Sequence, residues 1–161
     1  MAAGAASWSF TEDDFGAITQ SLERFLYDSN ARCALLVDRS GQLVATVGEE
    51  PKFDPTAFAT LTAADFSAND QLARLIGESD FNSLFHQGER ESMYLADIAR
   101  RVILVVLFDN RTTLGLVRLK MKQTVEELTR LFEHVFQRGA TDAGRPGILA
   151  DADDEIDKLF Q

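Results

Sequence analysis

Residues 53–77, FDPTAFATLTAADFSANDQLARLIG, form the stretch around which the rest of this chain is organised. Asp54 can accept hydrogen bonds from free backbone amides, and Pro55 suits the first position of a helix. Gly77 is a typical residue for ending a helix. The stretch therefore predicts one long helix between Asp54 and Gly77.

This helix carries two kinds of side chain. Large apolar residues lie near its ends, and we expect them to pack on the domain's own sheet: Phe58, Leu61, Leu72, Leu75 and Ile76. At helical spacing a second face holds small or polar residues: Ala57, Thr60, Ala64, Ser67, Ala68 and Gln71. A helix with two such faces can pack on two neighbours at once. Whether Ala64 and Ala68 meet the domain's own sheet, a second copy or another protein stays open at this point.

The remaining elements predict an α/β domain of the α+β sandwich type. The patterns give a helix over 11–29, a hairpin of strands 34–38 and 43–47, a short helical turn within 81–85, strands 92–98, 102–108 and 114–119, and a helix over 122–137. The order is α-ββ-α-βββ-α. Short turns between strands favour antiparallel pairing, so we expect one antiparallel five-stranded sheet flanked by helices.

The chain divides into four segments. We expect a flexible N-terminus over 1–10, a single domain over 11–138, and a Gly- and Pro-containing linker over 139–150. Residues 151–161 are acidic and place Ile156, Leu159 and Phe160 on one helical face. Such a short helix is marginal alone, so it is either a frayed tail or a segment that folds on a partner.

Composition limits the class of protein. The net charge of −10 argues against binding to nucleic acid or to anionic membranes. The longest apolar run, 102–108, is too short to cross a bilayer, and the N-terminus lacks the pattern of a signal peptide. Cys33 is the single cysteine, which fits a reducing compartment. We therefore expect a cytoplasmic protein without membrane insertion.

Motifs of enzyme sites are missing from the sequence. Nothing matches a phosphate-binding GxxxxGK[ST] or GxGxxG loop, and there is no HExxH or CxxC pattern. We expect structural roles for the loop residue His86 and for His134, and Cys33 as a small buried hydrophobe. The sequence thus predicts a non-enzymatic protein with no catalytic residue, cofactor or metal of its own.

Arginine could act in a different way, by reaching into the active site of a partner nucleotide hydrolase. The candidates are Arg74, Arg100, Arg101, Arg111 and Arg118. Ordinary surface cations are the favoured interpretation for all five.

Several stretches carry a family resemblance. They are LLVDRSGQLVATVG (35–48), LTAADFSANDQLARLIGE (61–78), FHQGERESMYL (85–95) and VILVVLFDNRTTLGLVRLKMK (102–122). Together with the order α-ββ-α-βββ-α, they resemble the Roadblock/LC7 family, and within it the bacterial MglB regulators of the Ras-like GTPase MglA.

The resemblance implies a homodimer with paired second helices that binds one GTP-bound, MglA-like small GTPase across them. It implies a GTPase-activating protein that positions the switch regions of the GTPase, while the GTPase supplies its own catalytic residues. It also implies a role in cell polarity and motility and a location at a cell pole. Carried over residue by residue, the GTPase-binding residues are Thr60, Ala64, Ser67, Ala68 and Gln71. A possible second GTPase contact is formed by Ile156, Leu159 and Phe160.

Two other functions stay open. The first alternative is a non-catalytic Roadblock scaffold or adaptor subunit, which would bind partners without changing GTP hydrolysis. The second is a sensor with a small ligand between sheet and helix, which the many core phenylalanines disfavour. The polar run Asn69-Asp70-Gln71 departs from the small residues expected on this helix.

Overall fold

The computed structural model describes residues 9–144, and side-chain burial is described for residues 9–139. Its elements follow the order α-ββ-α-βββ-α: α1 (Glu12–Ser29), β1 (Cys33–Asp38), β2 (Leu43–Gly48), α2 (Pro55–Leu75), β3 (Ser83–Gln87), β4 (Ser92–Ile98), β5 (Val102–Phe108) and α3 (Leu114–Gly144). All neighbouring strands are antiparallel, in the sheet order β2-β1-β5-β4-β3. This confirms the predicted fold class.

Local signals account for the first helix. Thr11 Oγ1 accepts a hydrogen bond from the Asp14 amide at 3.1 Å, and Asp14 Oδ2 accepts one from the Thr11 amide at 2.9 Å. This reciprocal arrangement is a capping box. The buried side chains of Ile18, Leu22 and Phe25 then recur at helical spacing. Both features are readable from the sequence, and the predicted helix is confirmed.

Two predicted elements are wrong. The element order is nevertheless correct, because one predicted strand is helical and one predicted helical turn is a strand. Residues 114–119 are the first turns of α3 rather than a strand, because Thr113 Oγ1 accepts from the Leu116 amide at 3.2 Å and Val117 and Met121 bury one helical face. Residues 83–87 form strand β3 rather than part of a helical turn. Pairing with β4 stabilises this strand, with Leu84 and Phe85 on opposite sides of the sheet.

The end of α3 also differs from the prediction. Within the described residues the helix continues past Gly139 to Gly144, whereas the prediction ended it at Gln137. The division into an 11–138 domain and a 139–150 linker stays a prediction. Residues 1–8 of the N-terminal segment, 145–150 of the linker and the whole of 151–161 lie outside the described residues.

The sheet separates two apolar clusters. One cluster lies between the sheet and the helices α1 and α3, and the other lies between the sheet and α2. Neighbouring residues of β1 alternate between them, since Leu36 belongs to the first cluster and Leu35 to the second. Within residues 9–144, no helix is both long and apolar enough to span a membrane.

Candidate functional site

The side of α2 that faces the sheet is built from small side chains. Asp54 caps the helix by accepting from the Thr56 amide at 3.0 Å, and Pro55 occupies its first turn. Only six residues of the helix are buried: Ala59, Thr62, Ala63, Phe66, Asn69 and Ala73. Phe66 is the one large apolar side chain among them. Small residues allow the helix to approach the sheet closely.

The side of α2 that points away from the sheet carries large apolar residues. Leu61, Leu72 and Leu75 are 70%, 58% and 83% exposed, and we call them the leucine flank. The expectation that the large residues pack on the sheet is therefore wrong for these leucines and for Ile76, and holds only for the half-buried Phe58. Periodicity shows that two stripes exist, but it does not show which stripe meets the sheet.

The five residues predicted to bind a GTPase share one exposed surface next to the leucine flank. We call this surface the small-residue flank: Thr60, Ala64, Ser67, Ala68 and Gln71. Because Ala64 and Ala68 are exposed, packing on the domain's own sheet is excluded for them. A partner could approach the α2 backbone closely along this flank.

Contacts at the two edges of α2 orient the flanks. Asp65, beside the leucine flank, has Oδ2 2.6 Å from His86 Nε2 on β3. At the other edge, Gly41 in the turn between β1 and β2 adopts φ +97°, and a Cβ there would lie 3.3 Å from Thr60 Cα. On the exposed side of α2, the leucine flank thus lies nearer to β3, and the small-residue flank lies nearer to the β1–β2 turn. His86 lies on a strand, so the predicted loop position is wrong.

Residues 18–108 carry the sequence pattern of a known domain family. The model for the Roadblock/LC7 domain matches residues 18–108, from α1 to the end of β5. The chain belongs to the Roadblock/LC7 family. The match includes all of α2 and therefore both flanks.

Solved structures place this Roadblock/LC7 chain near MglB proteins. It is 45% identical to Myxococcus xanthus MglB, with a TM-score of 0.72, covering 74% of this chain and 98% of that one. It is 34% identical to the gliding protein MglB from Thermus thermophilus, with a TM-score of 0.74, covering 80% and 97%. A further MglB structure with a tetrameric arrangement is also 34% identical, with a TM-score of 0.75 and the same coverage.

The polar run in α2 has three separate environments in this Roadblock/LC7 chain. Asn69 is buried, Asp70 accepts from Arg39 Nη1 at 2.5 Å, and Gln71 is exposed. The sequence showed that this polar run is unusual, but it did not indicate which side chain would pair with Asp70. Arg39 lies 31 residues away, and no local pattern connects the two.

Several arginines have partners within the protein. Arg32 and Arg111 donate to Glu49 at 2.7 and 3.1 Å, and Arg111 also donates to Asp109. These hydrogen bonds hold the pKa of Glu49 below its usual range. Arg101, another candidate, lies over the Phe136 ring at 4.6 Å. Both candidates, Arg101 and Arg111, thus have structural partners within the protein.

Cys33 lies where the sequence predicts it, whereas the three C-terminal candidates do not lie among the described residues. Burial raises the pKa of the Cys33 thiol to about 11, and Cys33 is a buried residue of β1 as predicted. Among the described residues, no group of three or more His, Cys, Asp or Glu side chains converges to hold a metal ion. Ile156, Leu159 and Phe160 lie outside the described residues.

Proposed function

We propose that this chain is a GTPase-activating protein for a Ras-like small GTPase of the MglA type. The observation that carries the proposal is the exposed, mostly apolar and small-residue surface of α2, in a chain 45% identical to Myxococcus xanthus MglB. Exposed apolar patches of this kind mark protein-binding surfaces. In this proposal the chain acts in cell polarity and motility and concentrates at a cell pole.

The leucine flank supports a homodimer. Leu61, Leu72 and Leu75 expose apolar area that gains about 25 cal/mol per Å² when removed from water. The flank lies on the same side of α2 as β3, the last strand of the sheet, whose outer edge pairs with no strand in residues 9–144. A second copy related by a two-fold axis would cover both features at once. The tetrameric arrangement of one similar MglB structure supports self-association.

The small-residue flank supports GTPase docking. When two copies of α2 lie side by side through their leucines, the small-residue flanks of both form a continuous shallow surface. Ala64 and Ala68 on this surface have no side chain long enough to hold a partner backbone away. One GTPase molecule can therefore lie across two copies of this chain.

Positioning is the proposed source of the rate increase. The GTPase contributes its own catalytic arginine and glutamine, and the α2 surface holds its switch regions so that these groups reach the γ-phosphate. Ordering groups that are already present lowers the activation barrier by removing unproductive arrangements. This chain then needs no catalytic residue, cofactor or nucleotide-binding loop.

Phosphate release tests the proposal. An MglA-type GTPase loaded with GTP is mixed with increasing amounts of the full chain under single-turnover conditions. We expect faster release that saturates at two copies of this chain per GTPase. Unchanged release at a molar excess of the chain would contradict the proposal. Binding without acceleration would favour the alternative, a scaffold or adaptor subunit that uses the same α2 surface.

A second contact through the C-terminal segment is a separate proposal. Ile156, Leu159 and Phe160 recur in an acidic segment at the spacing expected for one face of a helix. The full chain with all three replaced by serine should keep the stimulated hydrolysis rate set by α2 but change nucleotide exchange on the GTPase. Equal exchange rates with the variant and the original chain would argue against this contact.

A further inference from the structure

The attachment of α2 to the sheet has an unusual composition. Its buried side contains three alanines, Thr62, Asn69 and one large apolar side chain, Phe66. Alanine side chains make few van der Waals contacts, so they allow close packing but provide little resistance to sliding or rotation of the helix. Polar contacts at the edges of α2 must therefore help to fix its position along the sheet.

Arg39 makes contacts that can fix it. Its Nη1 donates to Asp70 Oδ2 on α2 at 2.5 Å, and its Nη2 donates to Asp97 Oδ1 on β4. Its guanidinium carbon lies 4.8 Å from the centroid of the Phe66 ring. One side chain therefore contacts α2 at two residues and the sheet at a third.

Backbone hydrogen bonds connect the Arg39 site to the turns at this end of the sheet. The Arg39 amide donates to the Arg101 carbonyl at 3.0 Å, which joins the β1–β2 turn to the β4–β5 turn. Asp97 accepts a second hydrogen bond from the Arg100 amide at 3.1 Å through Oδ2. The three ionic side chains Arg39, Asp70 and Asp97 are all mostly buried. Partial burial strengthens the ionic hydrogen bonds compared with exposed pairs.

We propose that Arg39 is a positioning residue that sets the pose of the exposed flanks of α2. Asp70 lies between Ala68 and Gln71 of the small-residue flank in sequence. The Arg39–Asp70 hydrogen bond therefore fixes the rotation of α2 about its axis and its distance from the sheet, and with them the positions of Ala68 and Gln71. The inference rests on the proposed function only in its last step, where this pose determines how well a GTPase is activated. It also gives Asp70, the middle residue of the polar run in α2, a physical reason.

Lysine cannot replace arginine in this role. The guanidinium is a planar fork that donates to two carboxylates in fixed directions, whereas an ammonium is a compact charge on a flexible stem. Arg39→Lys keeps the charge next to Asp70 and Asp97 but loses the geometry. The matched control is Arg24→Lys, since Arg24 pairs with Glu127 at 3.5 Å between α1 and α3, away from α2.

Amide hydrogen exchange of the full chain is the first measurement. Loss of one geometrically fixed ionic hydrogen bond should speed exchange in α2 about tenfold in Arg39→Lys, with α1 and α3 unchanged. Arg24→Lys should leave α2 unchanged. Asp70→Asn, which keeps the side-chain shape, should give a smaller increase confined to α2. Equal α2 exchange in Arg39→Lys and Arg24→Lys, a uniform increase over the whole chain, or unchanged α2 exchange in Asp70→Asn would overturn the proposal.

The second measurement is stimulated GTP hydrolysis as a function of chain concentration. A variant that merely folds less well supplies less active protein, which raises the half-saturating concentration and leaves the maximal rate unchanged. A misplaced α2 lowers the maximal rate itself, and we expect a decrease of about tenfold in Arg39→Lys. An unchanged maximal rate in Arg39→Lys would overturn the positioning role. If the unsubstituted chain gives no stimulation, the proposed function fails, while the exchange comparison still decides whether Arg39 positions α2.

Discussion

The two faces of the sheet are covered in different ways. On one face, α1 and α3 contribute large, fully buried side chains: Ile18, Leu22, Phe25, Met121, Leu128 and Phe132. On the other face, α2 contributes Phe66 as its one large, fully buried apolar side chain and places Leu61, Leu72 and Leu75 toward solvent. The same sheet thus supports one helical layer that exposes few of its large apolar residues and one that exposes most of them.

This difference separates stability from recognition. The larger apolar cluster of the described residues lies between α1, α3 and the sheet, and its burial stabilises the fold through the hydrophobic effect. The α2 layer is held by small residues and by the Arg39–Asp70 and Asp65–His86 contacts. Substitutions in the two layers should therefore affect different measurements.

The largest expected effect is on GTPase binding. Ala64→Arg combined with Ala68→Arg places two long cations on the small-residue flank and should abolish complex formation, because the partner backbone can no longer approach. Both residues are exposed, so the free energy of unfolding should change by no more than about 0.5 kcal/mol. Size-exclusion chromatography with the GTPase measures binding, and the same column should still show the homodimer. A complex that survives on the column would contradict the assignment of this flank.

The next effect is on stability and lies in the other layer. Phe132 is fully buried and lies 5.6 Å from Phe10 and 5.8 Å from Phe136, measured between ring centroids. Phe132→Ala should lower the free energy of unfolding by about 4 kcal/mol, because it removes apolar contacts and leaves a cavity. Urea denaturation provides the measurement.

GTPase binding is the control for Phe132→Ala. At low temperature, where the variant is folded, binding should match that of the original chain. A loss of binding equal to that of the double arginine variant would show that the two layers are coupled.

A smaller effect compares one residue type on the two layers. Leu72 on α2 and Leu119 on α3 are 58% and 65% exposed. If the leucine flank forms the homodimer, Leu72→Ser should raise the dimer dissociation constant about tenfold, and Leu119→Ser should not change it. Analytical ultracentrifugation over a range of concentrations gives both constants. Equal dimer dissociation constants for the two variants would show that the leucine flank is not part of the dimer interface.

The last effect appears only at acidic pH and concerns the stability of the α1–α3 layer. The hydrogen bond from Arg138 lowers the pKa of Asp14 from 3.8 to about 2. The ionised carboxylate thus stabilises the folded chain above about pH 4, and this stabilisation, at most about 2 kcal/mol, is lost as the pH falls through 2. In Asp14→Asn the free energy of unfolding should fall less steeply between pH 4 and 2. Parallel urea titrations at several pH values measure this, and identical slopes would contradict it.

Much of the fold follows from local sequence. The capping residues Thr11, Asp54 and Pro55 define helix starts, and the apolar runs of β1 and β5 define buried strands. The capping interactions connect residues a few positions apart, so the chain specifies them before any tertiary contact forms. The stretches over 35–48, 61–78, 85–95 and 102–122 likewise sufficed to indicate the Roadblock/LC7 family, which the family model confirms.

Other features depend on tertiary structure. Strand β3 is short and half-buried, and its extended form is stabilised by pairing with β4. The stretch 114–119 is compatible with a strand by composition, and its packing against the sheet within a longer helix decides otherwise. In both cases short segments have weak local preferences, and contacts with distant residues decide the outcome.

Within the single helix α2, some features follow from local sequence and others from tertiary contacts. Its sequence alone determined the start at Asp54, the end near Gly77 and the presence of one stripe of leucines and one of small residues. Only the tertiary structure decided that the leucines face solvent and that Arg39 meets Asp70, because rotation about the helix axis is set by partners far away in the sequence. A helix can be fully specified along its length while its outward face is fixed by the sheet beneath it.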